Sequence, residues 1–195
     1  ATWTPEALES KLDVTLGARY TVDKRSARKN SIYFVGGEQS GSDDWSNFNP
    51  SITVDYNWTD ELSTYAKVVT AYKAGGFNTR STEAGFQPPF DEEEMTSYEL
   101  GLKSSWLNNR VSVNAAVFRA DYTDMQTQQI TDNSTIFLTD VYNVGEAQID
   151  GFEIDMMAVL LRGLTLQLSY GYTDADFVEY IDQRGGSPTF GQDIS

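Results

Sequence analysis

The sequence predicts an all-β chain: a segment of an antiparallel transmembrane β-barrel, about seven long meandering strands with short periplasmic turns and long extracellular loops. Three observations predict it. Apolar and polar residues alternate with period 2 along most of the 195 residues, and the 3.6-residue helical period is nearly absent. The alternating runs are mostly about 12 residues long, roughly twice the ~5–6 of globular sheets and enough for the ~9–11 tilted residues that cross a bilayer. Short and long connections also take turns along the chain, the asymmetry of an outer-membrane barrel.

Strands are expected at 11–22, 48–58, 62–73, 96–107, 110–123, 147–160 and 164–176. "TDE" (59–61), "NN" (108–109) and "LRG" (161–163) are tight turns. The stretches 24–47, 74–95, 124–146 and the segment after Thr173 are long, polar and rich in Gly, Ser, Asn and Asp, and are expected to be loops.

Register can be tested hairpin by hairpin, because a slip of one residue sends every side chain to the opposite face. Asn108 and Asn109 suit a two-residue type I′ turn, which would pair Trp106 with Val111, Ser104 with Val113, Leu102 with Ala115 and Leu100 with Val117. That face is almost wholly apolar; the opposite one pairs Ser105 with Ser112, Lys103 with Asn114 and Glu99 with Phe118. In "IDGFEIDMMAVLLRGLTLQLSYGY" (149–172), a two-residue turn would mix Glu153 and Asp155 into the row of Tyr170 and Tyr172. A three-residue Leu161-Arg162-Gly163 loop, with Gly163 left-handed, instead aligns Leu160 with Leu164, Ala158 with Leu166, Met156 with Leu168, Ile154 with Tyr170 and Phe152 with Tyr172. The same length at "TDE" pairs Trp58 with Leu62, Val54 with Ala66 and Ile52 with Val68, and turns Thr53, Asp55, Asn57 and Lys67 inward.

The aromatic residues mark two levels. Tyr56, Trp58 and Trp106 lie near the tight turns; Tyr20, Tyr72, Tyr98, Phe152, Tyr170 and Tyr172 lie near the long loops, as two interfacial girdles would. Arg119 interrupts the apolar row level with Tyr98, where its stem is expected to snorkel to the surface.

Composition removes most alternatives. With no cysteine and no histidine, the chain offers no disulfide, thiolate nucleophile, imidazole metal site or His-based triad. No catalytic residue, metal site or cofactor is expected, and the chain is not read as an enzyme. A net charge of −15 disfavours nucleic acid, whose phosphates reward clustered cations. The longest unbroken apolar run, Met156 to Leu161, is far shorter than the ~18–20 residues of a membrane-spanning helix. The start "ATWTPEALESK" has none of the marks of a signal peptide, and the chain is expected to be a fragment of something longer.

Four blocks carry a family resemblance: "LGARYTVDK" (16–24), "WSNFNPSITVDYNWTDELSTYAKVVTAYKAGGFN" (45–78), "PFDEEEMTSYELGLKSSWLNNRVSVNAAVFRADYTDMQ" (89–126) and "YNVGEAQIDGFEIDMMAVLLRGLTLQLSYGYTDADFVEY" (142–180). Together they resemble the barrel domain of TonB-dependent outer-membrane receptors of the siderophore type, most of all at "YELGLK" (98–103), "NVG" (143–145) and "GFE" (151–153). The resemblance implies a bacterial outer-membrane barrel of about 22 strands around an N-terminal plug. It also implies import of a ferric siderophore, haem, cobalamin or oligosaccharide with energy from the TonB complex. The implied partners are outer-membrane lipid, the TonB complex through the plug, and a small nutrient ligand. Residues 1–195 contain no plug, no TonB box and no closing strand with a terminal aromatic, and seven strands fall short of the ~8 of the smallest bacterial barrels; the expectation is a partial barrel domain, about a third of the whole.

Candidate site residues carry two readings each. Trp45, Phe77, Phe86, Phe90 and Tyr33 form either an aromatic ligand-capturing rim or ordinary loop packing. Inward Glu99 and Lys103, with Arg19, Asp55, Lys67, Glu153 and Asp155, are either ligand or plug contacts or the hydrated wall that a polar lumen requires. Asp91-Glu92-Glu93-Glu94 is either a cation site or a solvated loop, and Asp43-Asp44 likewise. Gly75-Gly76 lacks the following Lys and helix of a phosphate loop and reads as a strand end. Two rivals to the receptor remain open on sequence: a passive porin-like barrel, and a soluble β-sandwich that binds carbohydrate, since it too has one oily and one polar face.

Overall fold

The computed structural model describes residues 1–5, 11–30, 38–80, 86, 88–132 and 138–195. Its strands are β1 (Thr2–Trp3), β2 (Leu12–Asn30), β3 (Glu38–Thr59), β4 (Leu62–Lys73), β5 (Glu93–Trp106), β6 (Val111–Thr123), β7 (Gln126–Asp132), β8 (Leu138–Asn143), β9 (Gly145–Leu161) and β10 (Leu164–Tyr180). Eight of them form one antiparallel sheet in the order β1-β2-β3-β4-β5-β6-β9-β10, and β7-β8 is a separate hairpin. All seven expected strands are present, and the described residues hold three more, ten in all.

The excess has a physical reason. Past Val22 the alternation of oily residues stops, yet β2 and β3 stay paired out to Asn30–Glu38. Outside the bilayer a ladder needs only its backbone bonds, and the ion pairs Lys24–Asp44 and Arg28–Glu38 cross it. The stretch expected to be loop at 24–47 is therefore mostly strand. Likewise 124–146 holds β7 and β8, and β10 runs on to Tyr180.

The registers predicted for the main hairpins hold across the middle of the sheet. Leu100 pairs with Val117 and Glu99 with Phe118; Ile154 pairs with Tyr170 and Phe152 with Tyr172; Val54 pairs with Ala66. The turns that set them differ. Both "TDE" and "LRG" are two-residue turns, Asp60-Glu61 and Arg162-Gly163, each preceded by a one-residue bulge. Thr59 pairs with Leu62, leaving Trp58 over, and Leu161 pairs with Leu164, leaving Leu160 over. A tight turn plus a bulge shifts the register by as much as a three-residue loop would, and Gly163 supplies φ +90°. The β5–β6 turn is longer than the type I′ expectation: Leu107, Asn108 and Asn109 have φ of 56°, 56° and 64°, and Arg110 N–H donates to Trp106 O at 3.0 Å.

Among the described residues nothing packs against one face of the sheet. Leu100 is 58% exposed, Val117 53% and Leu168 56%, and the same row carries Leu16, Phe48, Ile52, Leu166 and Tyr170. A continuous apolar surface of this kind marks a membrane or partner. Arg119 sits in that row but does not snorkel alone: its Nε and Nη2 donate to Asp150 Oδ1 and Oδ2 at 2.7 and 2.9 Å. Tyr72 likewise turns its hydroxyl to Asp23 across the gap where β3 and β4 separate.

Leu107 is a branched residue in the left-handed region, at a cost of roughly 1 kcal/mol that glycine would avoid. Leu107→Gly should raise the urea midpoint of the detergent-refolded protein, and a lowered midpoint would contradict this turn geometry.

Candidate functional site

Strict alternation places the polar residues on the face opposite the apolar rows. Three rungs cross it. The upper one runs Thr53, Lys67, Glu99, Phe118, Gly151; the middle one Asp55, Tyr65, Gly101, Ala116, Glu153; the lower one Asn57, Ser63, Lys103, Asn114, Asp155. Bulky rings alternate with glycines along this wall. A Cβ on Gly101 would run into the Tyr65 ring, and one on Gly151 into the Phe118 ring. The glycines of "YELGLK" and "IDGFE" thus leave room for an aromatic to lie flat across the neighbouring strand.

Tyr65 then organises two of the candidate residues. Its hydroxyl donates to Glu99 Oε1 at 2.6 Å, and the Lys103 ammonium stands 5.1 Å from its ring centroid. Lys67 is the cross-strand neighbour of Glu99. Glu153 and Asp155 share this face, and Asp155 accepts from the Ser169 hydroxyl at 2.6 Å. Glu99 and Lys103 are therefore parts of one braced, polar wall.

The aromatic candidates gather at the long-loop end. Trp45 is 6% exposed and lies where a Cβ on Gly75 would be. Phe77 meets it edge-on at 6.2 Å between centroids and stacks on Phe86 at 5.6 Å. The Arg25 guanidinium is 6.0 Å from the Trp45 ring. Gly76 and Phe90 exchange backbone hydrogen bonds of 2.9 and 2.8 Å. Trp45 and the fully enclosed Phe86 are packing residues in this arrangement, whereas Phe77 and Phe90 are half-buried and keep open surface. Tyr33 lies outside the described residues.

The acid run does not converge. Asp91 exchanges backbone hydrogen bonds with the Asn143 side chain, Glu93 accepts the Gln126 N–H at 2.7 Å, and Glu94 accepts from Asn47. Asp43 and Asp44 face separate partners, the Asp44 N–H and Lys24. Among the described residues no group of three His, Cys, Asp or Glu is placed to hold a metal ion.

Sequence reasoning missed the amide side chains that tie the loops, namely Asn78, Gln126, Gln129 and Asn143. A signal was available: "MQTQQITD" and "TIFLTDVYN" (125–132 and 135–143) are rich in β-formers inside an otherwise polar stretch. Beyond β10, Asp182 anchors a further turn. Arg184 forks onto it and the Ser187 and Thr189 hydroxyls donate to it, which holds its carboxyl well below the usual carboxylate range against the opposing pull of burial.

A sheet with one apolar outer face, one braced polar face, short turns at one end and structured loops at the other is a wall section of an outer-membrane β-barrel. The family model described as TonB dependent receptor-like, beta-barrel, matches residues 1–193, and the chain belongs to that family. It is 28% identical over 174 residues to the probable TonB-dependent siderophore receptor PiuA of Acinetobacter baumannii, covering 89% of this chain and 21% of that receptor. It is 27% identical over 158 residues to the metal-pseudopaline receptor CntO of Pseudomonas aeruginosa, covering 81% of this chain and 21% of the relative. The crystal structure of the ferric yersiniabactin uptake receptor FyuA from Yersinia pestis superposes with a TM-score of 0.73 at 24% identity, over 91% of this chain and 26% of that one. The chain thus spans about a fifth of the length of these curated relatives. It is part of a bacterial outer-membrane β-barrel, in a family of receptors and transporters rather than enzymes.

If Gly101 exists to admit Tyr65, then Gly101→Val should destabilise the folded barrel by about 1–3 kcal/mol through overpacking. Adding Tyr65→Ala should recover most of that loss in a double-mutant cycle read by urea denaturation; additive losses would contradict the pairing.

Proposed function

We propose that this chain forms part of the wall and mouth of a receptor that imports a metal chelate, a ferric siderophore foremost, with energy delivered through TonB acting on a plug. The observation that carries the proposal is the pairing of a polar, braced inner wall with an aromatic cluster at its long-loop end. A ligand captured at the mouth meets Phe77 and Phe90, whose open faces can stack on a flat or apolar chelate, while Trp45 and Phe86 hold them from behind. Below, Glu99 and Lys103 line a hydrated path. The relatives named for siderophore and metal-pseudopaline uptake support this substrate class over haem, cobalamin or oligosaccharide. The outer apolar rows contact lipid, and the acidic chain has no nucleic-acid partner. A passive porin is the weaker alternative, because the family model that matches is described as TonB dependent receptor-like.

The test is uptake of radiolabelled iron or other metal by cells whose own siderophore receptors are deleted and which express the full-length receptor, supplied with a panel of chelates. Uptake of at least one chelate that stops when TonB is deleted is expected; TonB-independent passage of small solutes would show a porin. In the same cells Phe77→Ala should weaken apparent affinity roughly tenfold, as loss of an aromatic contact does.

A further inference from the structure

The amide clamps missed in the sequence have a common form. Asn78, in the loop after β4, donates through Nδ2 to Val141 O at 3.0 Å and accepts from Val141 N–H at 2.8 Å. Asn143, at the end of β8, does the same to the loop before β5: it donates to Asp91 O at 3.0 Å and accepts from Asp91 N–H at 2.8 Å. Gln129, on β7, donates to Ile181 O at 3.0 Å and accepts from Gln183 N–H at 2.6 Å. In each case a side-chain amide imitates a neighbouring strand, giving one donor and one acceptor to the backbone of a different loop. Gln126 reinforces the base by donating to Lys73 O, Ala74 O and Asp91 O. At the far side Gly185 N–H donates to Ile130 O at 3.0 Å.

We propose that the described parts of loops 74–92, 124–146 and 181–195 hold together as one cooperative unit, protected or lost together, with the β7–β8 hairpin as the strap that joins the other two. Two features favour collective over independent motion. A two-bond clamp must lose donor and acceptor together, and Gln129 is only 3% exposed, so a parted clamp there would leave a buried amide and a backbone N–H and C=O unmatched. The clamps are also in series: Phe77 of the aromatic cluster adjoins Asn78, Asn78 holds β8, β8 pairs with β7, and β7 holds 181–183. A displacement of the aromatic cluster is thereby transmitted to the loop after β10 through rigid paired strands, a physical linkage rather than mere proximity. This holds whatever the cargo.

The test is hydrogen exchange, resolved by segment, on the full-length receptor in lipid nanodiscs. Asn78→Ala should speed exchange roughly tenfold at Gly185 and Gly191, which Asn78 does not touch, and Gln129→Ala should do so at the Gly76–Phe90 backbone pair. Gln128→Ala, which removes the amide that donates to Thr139 within the hairpin, should leave both distant segments unchanged. Should an alanine variant fail to fold, Asn78→Asp and Gln129→Glu keep the shape and remove the donor, and carry the same expectation. Faster exchange confined to the residues in direct contact with the altered side chain would overturn the proposal.

Discussion

The constraint on which everything else depends is the lack of water in the hydrocarbon. A strand there must pair every backbone N–H and C=O with a neighbouring strand, so β2 through β6, β9 and β10 run as unbroken antiparallel ladders with no insertions in their middle sections. The bulges at Trp58 and Leu160 fall beside the tight turns, where unpaired groups can reach water. The β7–β8 excursion leaves the sheet at the opposite end. Because the ladder fixes alternation, one choice of turn sends Leu100, Val117, Phe152 and Leu168 outward and Glu99, Phe118, Glu153 and Gln167 inward at the same stroke.

That division of faces generates the functional geometry. The outer side needs only apolar area, whereas the inner side must tolerate water and a moving cargo without loose charges. It does so by bracing: Tyr65 lies over Gly101, holding Glu99 through its hydroxyl and Lys103 through its ring, and Phe118 lies over Gly151. Glycine is required at both positions by the ring that lies across from it. At the mouth the same economy recurs in Gly75, which admits Trp45 to the base of the aromatic cluster.

The legible part of this fold was the part governed by period and by lipid. Strand positions, the central registers and the inward or outward sense of Asp55, Lys67, Glu99 and Lys103 follow from alternation alone. The polar ends of β2 and β3 were illegible, because outside the membrane pairing persists without an oily row to announce it. Two turns were read one residue too long, since a two-residue turn plus a bulge yields the same register as a three-residue loop. The loop cluster was least visible: the roles of Asn78, Gln129 and Asn143 depend on which backbone each amide clamps, 63 residues away for Asn78 and 52 for Gln129 and Asn143, and no local pattern encodes that.

The central claim is that the apolar rows face lipid and the braced rows face an aqueous lumen. Because residues 1–195 contain no cysteine, nitroxide labels on single introduced cysteines can be scanned along β5 and β10 in the intact receptor in bilayers. Labels at Leu100 and Leu168 should be accessible to oxygen dissolved in the lipid and shielded from a water-soluble nickel reagent. Labels at Glu99 and Gln167 should show the reverse or be shielded from both. Equal access of the nickel reagent to both faces would contradict a membrane wall and return the chain to the class of soluble sheets.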